Sequence, residues 1–150
     1  MITAQCGCGK VQYKIHQQPL FRNYCHCSIC QSVNHAAHAD ICVFRAREVE
    51  TPDKTLIEYK AHAFPPILQR GKCIECGDIA VEFLKLGVLP EMAVIPSKIL
   101  RADVPLPDPA FHMFYDNCVA EVDDSLPKGK GYLASQWLFA KQLISVLFKQ

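Results

Sequence analysis

Nine cysteines in 150 residues constrain this chain more than any other feature. A cysteine content this high indicates either a disulfide framework or bound metal. The first residues show neither a basic nor an apolar leader, so we expect a reducing, cytoplasmic setting, where clustered cysteines are more often metal ligands. The odd number also excludes complete internal pairing. Bound metal is therefore the better explanation.

Seven of the cysteines lie in three short elements with metal-ligand spacing. The first element, Cys6–Gly9, is C-x-C-G; the second, Cys25–Cys30, is C-x-C-x-x-C; the third, Cys73–Gly77, is C-x-x-C-G. Thiolates one or two residues apart can chelate one ion, and the glycine that follows permits the positive φ of a tight turn. Tetrahedral sulfur ligation indicates zinc first and iron second.

Spacing alone leaves two pairings of these elements open. In one, the first and third elements form a four-sulfur site, and the second element forms a three-sulfur site that lacks a fourth thiolate. In the other, the second element gives two sulfurs to the third, and the first element is unliganded or redox-active. The distinction matters because structural zinc sites have four protein ligands, whereas catalytic sites keep one position open.

Several stretches of this chain resemble the signature blocks of a known family: the three elements, the Arg70-Gly-Lys stretch before Cys73, and the later Phe111–Phe114 and Asp123–Pro127 stretches. This is the glutathione-dependent formaldehyde-activating enzyme family, which includes centromere protein V. The blocks follow the family's order from residue 6 to about residue 127. The resemblance implies a mainly β, zinc-binding β-tent fold of the Mss4-like kind. It also implies two zinc ions per chain, a structural one on Cys6, Cys8, Cys73 and Cys76 and a second one on Cys25, Cys27 and Cys30.

A zinc ion on three thiolates carries a formal charge of −1, so it is a weaker Lewis acid toward water than zinc on three histidines. Capture of an exogenous thiol as thiolate suits it better. The resemblance implies matching chemistry, the condensation of glutathione with formaldehyde. We therefore predict a zinc-dependent carbon–sulfur lyase that acts on the thiol adduct of a small aldehyde, with glutathione as the candidate thiol. Cys25, Cys27 and Cys30 would act in catalysis through the bound zinc.

The alternative function is a non-catalytic binding module that zinc stabilises. A fourth protein ligand at the second zinc would favour it, because a closed site is structural. Five residues lie close enough in sequence to supply that ligand: His26, His35, His38, Asp40 and Cys42.

Short apolar or alternating runs bounded by turn residues predict strands over 11–15, 41–44, 55–59, 79–86 and 92–95. The segment 28–38 has room for a turn of helix. The sequence predicts that His112 is a structural histidine in a strand, that Asp123–Asp124 is a solvated turn, and that Cys42 and Cys118 are inert core thiols. These elements predict one zinc-binding domain over residues 1–130.

Residues 131–150 are predicted to form an amphipathic C-terminal helix, with Ser135 as its N-cap. Positions 137, 140, 144, 147 and 148 share one face at helical spacing, so we expect this face to pack on the domain or on a partner subunit, as in a homodimer. The run is too short and too polar to span a membrane. A net charge of +1 gives no basic patch for nucleic acid.

Overall fold

Ten strands form two sheets in the computed structural model, which describes residues 1–103 and 105–149. The strands are β1 (Ile2–Gln5), β2 (Gln12–Ile15), β3 (Phe21–Cys25), β4 (Ala39–Arg45), β5 (Ile57–Lys60), β6 (Leu68–Cys73), β7 (Ile79–Leu84), β8 (Met92–Pro96), β9 (Leu100–Ala102) and β10 (Pro109–Met113). Two α-helices accompany them, α1 (Ser28–Asn34) and α2 (Gly131–Leu147).

The small sheet has the order β2-β1-β9 and the large sheet the order β10-β3-β4-β8-β7-β6-β5. Neighbouring strands pair antiparallel, except that β10 runs parallel to β3. The prediction of a mainly β fold of the β-tent kind with a short C-terminal helix is therefore confirmed. The strands are four to seven residues long apart from the three-residue β9, typical of antiparallel sheets.

The large sheet has an apolar core on each of its faces. One core fills the space between the two sheets and contains Ile2 and Ile15 of the small sheet with Phe44 and Ile95 of the large one. The other core lies beneath the two helices and contains the side chains of Cys25, Cys30, Val94, Phe139 and Leu143, among others. Side chains alternate between the faces of a strand, so each central strand contributes to both cores.

The five predicted strands are present, as β2, β4, β5, β7 and β8, with ends that differ by a few residues. Two of the strands that the sequence did not reveal, β3 and β6, carry polar residues at buried positions. In β3, Asn23 is fully buried, and in β6, Arg70 is buried beside Gly71. These segments lack the alternating pattern, and only pairing with neighbouring strands makes them extended.

The C-terminal helix begins four residues before the predicted N-cap. Its N-cap is Lys130, and Ser135 is buried in the second turn. The Ser135 Oγ accepts a hydrogen bond from the Phe114 amide at 2.8 Å and donates to the Gly131 carbonyl at 2.6 Å. Ser135 therefore fastens the helix to the end of β10, and the prediction that it caps the helix is wrong.

Helix α2 packs on its own domain mainly through a side other than the predicted apolar face. Phe139 and Leu143 are buried against the large sheet, and the Phe139 ring meets that of Phe21 edge-on at a centroid distance of 5.4 Å. Trp137 and Ile144, on the predicted face, are 68% and 52% exposed. No helix within the described residues has the length and hydropathy needed to cross a membrane.

Candidate metal centres

A four-cysteine group lies where the two sheets meet. Cys6 and Cys8 stand on the turn between β1 and β2 of the small sheet. Cys73 ends β6 of the large sheet, and Cys76 stands on the turn between β6 and β7. The four Sγ atoms lie within 4.8 Å of one another, so the group could hold a metal ion. An ion bound here would crosslink the two sheets.

The sulfur spacing suits a tetrahedral ion. The Cys6 and Cys8 sulfurs are 3.5 Å apart, and those of Cys8 and Cys73 are 3.7 Å apart. A zinc ion with Zn–S bonds of about 2.3 Å has sulfur–sulfur edges of about 3.8 Å in a regular tetrahedron. The group therefore needs little rearrangement to bind zinc.

Both turns have the positive backbone φ that was predicted from their glycines. Gly9 has φ 78° and Gly77 has φ 74°, in the left-handed region that favours glycine. The Val11 amide donates a hydrogen bond to the Cys6 sulfur at 3.4 Å, which helps the cysteine to carry negative charge. Each turn therefore presents its two sulfurs to the same point in space.

A three-cysteine group lies at the junction of β3 and α1. Cys25 ends the strand, Cys27 is the N-cap of the helix, and Cys30 lies in its first turn. Their Sγ atoms lie within 4.8 Å of one another, so this group could also hold an ion. Cys25 and Cys30 are buried and Cys27 is half-buried, so the side of Cys27 is the one that faces solvent.

One thiol in each group ionises most readily. Burial raises the pKa of Cys6, but hydrogen bonds from the Val11 amide and from neighbouring thiols lower it to about 7. Hydrogen bonds from Cys25 and Cys30 lower the pKa of Cys27 to about 2, assisted by its position at a helix N-terminus. Because metals bind thiolates, this one sulfur of each group already favours the charge state that an ion requires.

None of the five candidate fourth ligands joins the three-cysteine group within the described residues. The His26 Nε2 lies 2.8 Å from the His112 Nδ1, and the Asp40 carboxylate is held by Arg22 at 2.6 and 2.7 Å. Cys42 is fully buried in the core on the other face of the sheet. The remaining two, His35 and His38, belong to the end of α1 and the following turn, and their ring nitrogens do not approach the group.

A chain of three polar side chains runs behind the three-cysteine group. The His112 Nδ1 contacts His26, and its Nε2 lies 2.8 Å from the Asp124 carboxylate, which also pairs with Lys128 at 2.7 Å. Lys128 and His112 lower the pKa of Asp124 to about 2, and burial lowers that of His26 to about 4. Asp124 lies in an exposed bend, as predicted, and its carboxylate also binds His112, which has the expected structural place. Only the pairing of β10 with β3 brings these residues together.

A buried ion pair lies on the same face of the sheet as the three cysteines. The Arg70 Nε is 3.0 Å from the Glu82 Oε1, and both side chains are less than 10% exposed. Arg70 shares its strand face with Leu68, which packs in the core that contains Cys25 and Cys30. Its positive charge also lowers the pKa of Cys27. Sequence analysis missed the pair, since nothing in a single strand shows that a charged residue is buried.

Burial should make Glu82 a source of pH-dependent stability. Burial outweighs the charge of Arg70 and raises the pKa of Glu82 to about 7, so the folded chain holds the Glu82 proton more tightly than the unfolded chain. The resulting stabilisation is complete below the ordinary pKa of about 4.3 and is lost as the pH rises through 7. We expect the free energy of unfolding of the unmodified chain, relative to Glu82→Gln, to fall by up to about 3 kcal/mol between about pH 5 and pH 8.

Chemical denaturation of the zinc-loaded protein at the two pH values measures this difference. Glu82→Gln also removes the charged partner of Arg70, which changes the stability of the variant at both pH values. The informative quantity is therefore the change in the free energy of unfolding between the two pH values. Glu58→Gln removes an exposed carboxylate from β5 and serves as the matched control. Equal changes for Glu82→Gln and the unmodified chain would contradict the prediction.

Comparison with known proteins gives a family match and a fold match. A family model described as "Glutathione-dependent formaldehyde-activating enzyme" matches residues 1–117, a range that contains all seven clustered cysteines. A crystal structure of a Rhodobacter sphaeroides protein is similar with a TM-score of 0.54 and 18% identity, over 70% of this chain and 92% of that one. At this identity the likeness concerns the fold alone. No curated protein matches the sequence significantly.

Proposed function

Because this chain belongs to the glutathione-dependent formaldehyde-activating enzyme family, we propose that it is a zinc-dependent carbon–sulfur lyase. Its substrate would be the adduct of a thiol, with glutathione as the candidate, and a small aldehyde such as formaldehyde. The observation that carries the proposal is the three-cysteine group, which gains no fourth protein ligand within the described residues. A structural zinc would need that ligand, whereas a catalytic zinc keeps the position free.

Two zinc ions fit the residues present. The four-cysteine group would hold a structural ion, and Cys25, Cys27 and Cys30 would hold the second one. When bound, the second zinc would supply a soft Lewis-acid position that favours the thiolate form of an incoming thiol. The half-buried Cys27 marks the side from which the thiol would approach.

The reaction makes or breaks one carbon–sulfur bond. In the synthetic direction, the thiol sulfur bonds to the carbonyl carbon, and the proton lost by the thiol ends on the carbonyl oxygen. In the lyase direction, the hydroxyl group of the adduct loses its proton, the carbon–sulfur bond breaks, and thiol and aldehyde leave. No electrons are exchanged with a further reactant, so no redox cofactor is required.

The chain's own residues would hold charge and orient the site. Arg70 offsets the negative charge of the three thiolates, and Glu82 holds its guanidinium in place. Asn23 lies two residues before Cys25 on the same face of β3, is fully buried, and its amide has no hydrogen-bond partner within the described residues. Both residues make the surroundings of the cysteines polar on one side of an otherwise apolar core.

Assay of the zinc-loaded protein with a panel of thiols and aldehydes tests the function. We expect turnover of at least one pair, followed as adduct formation or adduct cleavage by NMR. The panel pairs glutathione, cysteine and a small uncharged thiol with formaldehyde and a larger aldehyde. Zinc-loaded protein that accelerates none of these pairs over buffer would favour the alternative, a binding module that zinc stabilises.

We also propose a cytoplasmic setting for this chemistry. The seven clustered cysteines must be reduced to bind metal, and a reducing compartment maintains thiols in that state. Metal analysis of protein isolated from intact cells under anaerobic conditions should give two zinc ions per chain. Disulfides between the clustered cysteines in such a preparation would contradict this setting.

A further inference from the structure

Helix α2 carries an exposed apolar stripe on the side that faces away from the sheet. Leu133, Trp137, Ile144 and Phe148 are 83%, 68%, 52% and 74% exposed. Ala140, between them, is exposed as well. Scattered exposed apolar residues are normal, but a row of large ones along one helix indicates a surface that another structure covers.

The chain's own domain does not cover the stripe. The opposite side of α2 already packs through Phe139 and Leu143 on the core beneath the helices. The helix therefore has two apolar sides, one buried and one exposed, and needs a second contact to bury the exposed one.

The stripe follows one side of α2 along its whole length. Positions 133, 137, 140, 144 and 148 are separated by three or four residues, so they recur about once per helical turn. A row of side chains at this spacing can pack as a ridge into the groove of another helix.

The exposed area is sufficient for a dimer. The four large residues expose roughly 650 Å² per chain, so their complete burial in a pair of chains would remove at most about 1,300 Å², within the lower range of specific protein interfaces. The stripe includes the single tryptophan of the chain, and tryptophan is enriched at the centres of such interfaces.

We propose that α2 packs against α2 of a second copy of this chain, antiparallel and across a two-fold axis at Ala140. In this arrangement Trp137 meets Ile144 of the other copy, and Leu133 meets its Phe148. The small side chain of Ala140 allows the helices to approach closely at the axis. The same patch serves on both copies, as a two-fold interface requires.

The charges on the helix permit this pairing. Lys141 is exposed on the flank of the stripe, one residue from the proposed axis, so the two lysines lie on the same solvent-exposed edge of the contact. No acidic or basic residue occupies the stripe itself. The contact therefore requires no burial of a charge.

Sedimentation of the zinc-loaded chain over a range of concentrations tests the proposal. We expect a dimer whose dissociation constant rises on the order of 30-fold or more in Ile144→Glu, because a carboxylate would then face Trp137 of the other copy. The emission of Trp137 should shift to the red as the dimer dissociates. Ala134→Glu is the matched control, since it adds the same charge to an exposed position of the same helix about 90° from the stripe.

A double variant tests the antiparallel register. Trp137→Lys with Ile144→Glu places a lysine opposite a glutamate twice, so it should associate more tightly than either single variant. Absence of rescue would overturn the antiparallel pairing. Two results would overturn the proposal as a whole. One is a chain that stays monomeric up to about 100 μM. The other is a chain that binds phosphatidylcholine–phosphatidylglycerol vesicles without forming a dimer.

Discussion

The Cys73→Ser variant should lose one metal equivalent and most of its stability. We expect the free energy of unfolding to fall by at least about 3 to 5 kcal/mol, which corresponds to a melting temperature lower by roughly 10 °C or more. Metal analysis combined with thermal or chemical denaturation measures both effects. Many domains are stable by only about 5 to 15 kcal/mol, so part of the population should unfold at ordinary temperatures.

The reason is the place of the four-cysteine group in the fold. Cys6 and Cys8 belong to the small sheet, and Cys73 and Cys76 belong to the large one. The ion would therefore connect turns that are more than 60 residues apart in the chain, such as those of Cys8 and Cys73, and the folded state alone assembles its four ligands. Cys73 is also buried, so the serine hydroxyl would lie in an apolar core.

Cys118→Ser is the matched control for this prediction. Cys118 is half-buried and belongs to neither cysteine group within the described residues. Its replacement should leave the metal content unchanged and the melting temperature within a few degrees. If Cys73→Ser retained two metal equivalents, or if it were as stable as Cys118→Ser, the structural role of the four-cysteine group would be wrong.

Cys30→Ser should abolish turnover while the chain stays folded. We expect the rate with the best thiol–aldehyde pair to fall by at least about 100-fold, because the second zinc would lose one of its three ligands. Cys25, Cys27 and Cys30 lie within six consecutive residues, so their ion connects no distant parts of the chain. The melting temperature should therefore fall less than in Cys73→Ser.

Two measurements keep this prediction distinct from a general loss of structure. Metal content should fall from two equivalents to one, and circular dichroism should show a folded chain. Equal destabilisation by Cys30→Ser and Cys73→Ser would contradict the division between a structural and a catalytic ion. Full turnover by a folded Cys30→Ser that has lost its second metal would refute the catalytic role of the three-cysteine group.

The sequence predicted the mainly β class and most of the elements that frame the site. Alternation and turn residues identified β2, β4, β5, β7 and β8, because each of these strands has at least one regularly apolar face. The glycines after Cys8 and Cys76 correctly indicated positive φ. These features are local, and local features can be recognised without knowledge of the fold.

Long-range packing decided what the sequence left open or predicted wrongly. Arg70 and Glu82 are buried because β6 and β7 place them side by side, and His26 meets His112 because β10 pairs with β3. Helix α2 contacts the sheet through Phe139 and Leu143, although its exposed face has the same apolar character. Hydropathy shows that a helix has apolar sides, but it does not show which side meets its own domain.

By itself, the sequence determined which residues could bind metal, since the spacing of the cysteines fixes how many sulfurs one turn can present. Only the tertiary structure decided how the three elements combine. It brings the first and third together at the junction of the sheets and leaves the second without a fourth ligand within the described residues. The physical reason is that chelation within a turn depends on a few neighbouring backbone angles, whereas the meeting of two turns depends on the packing of both sheets.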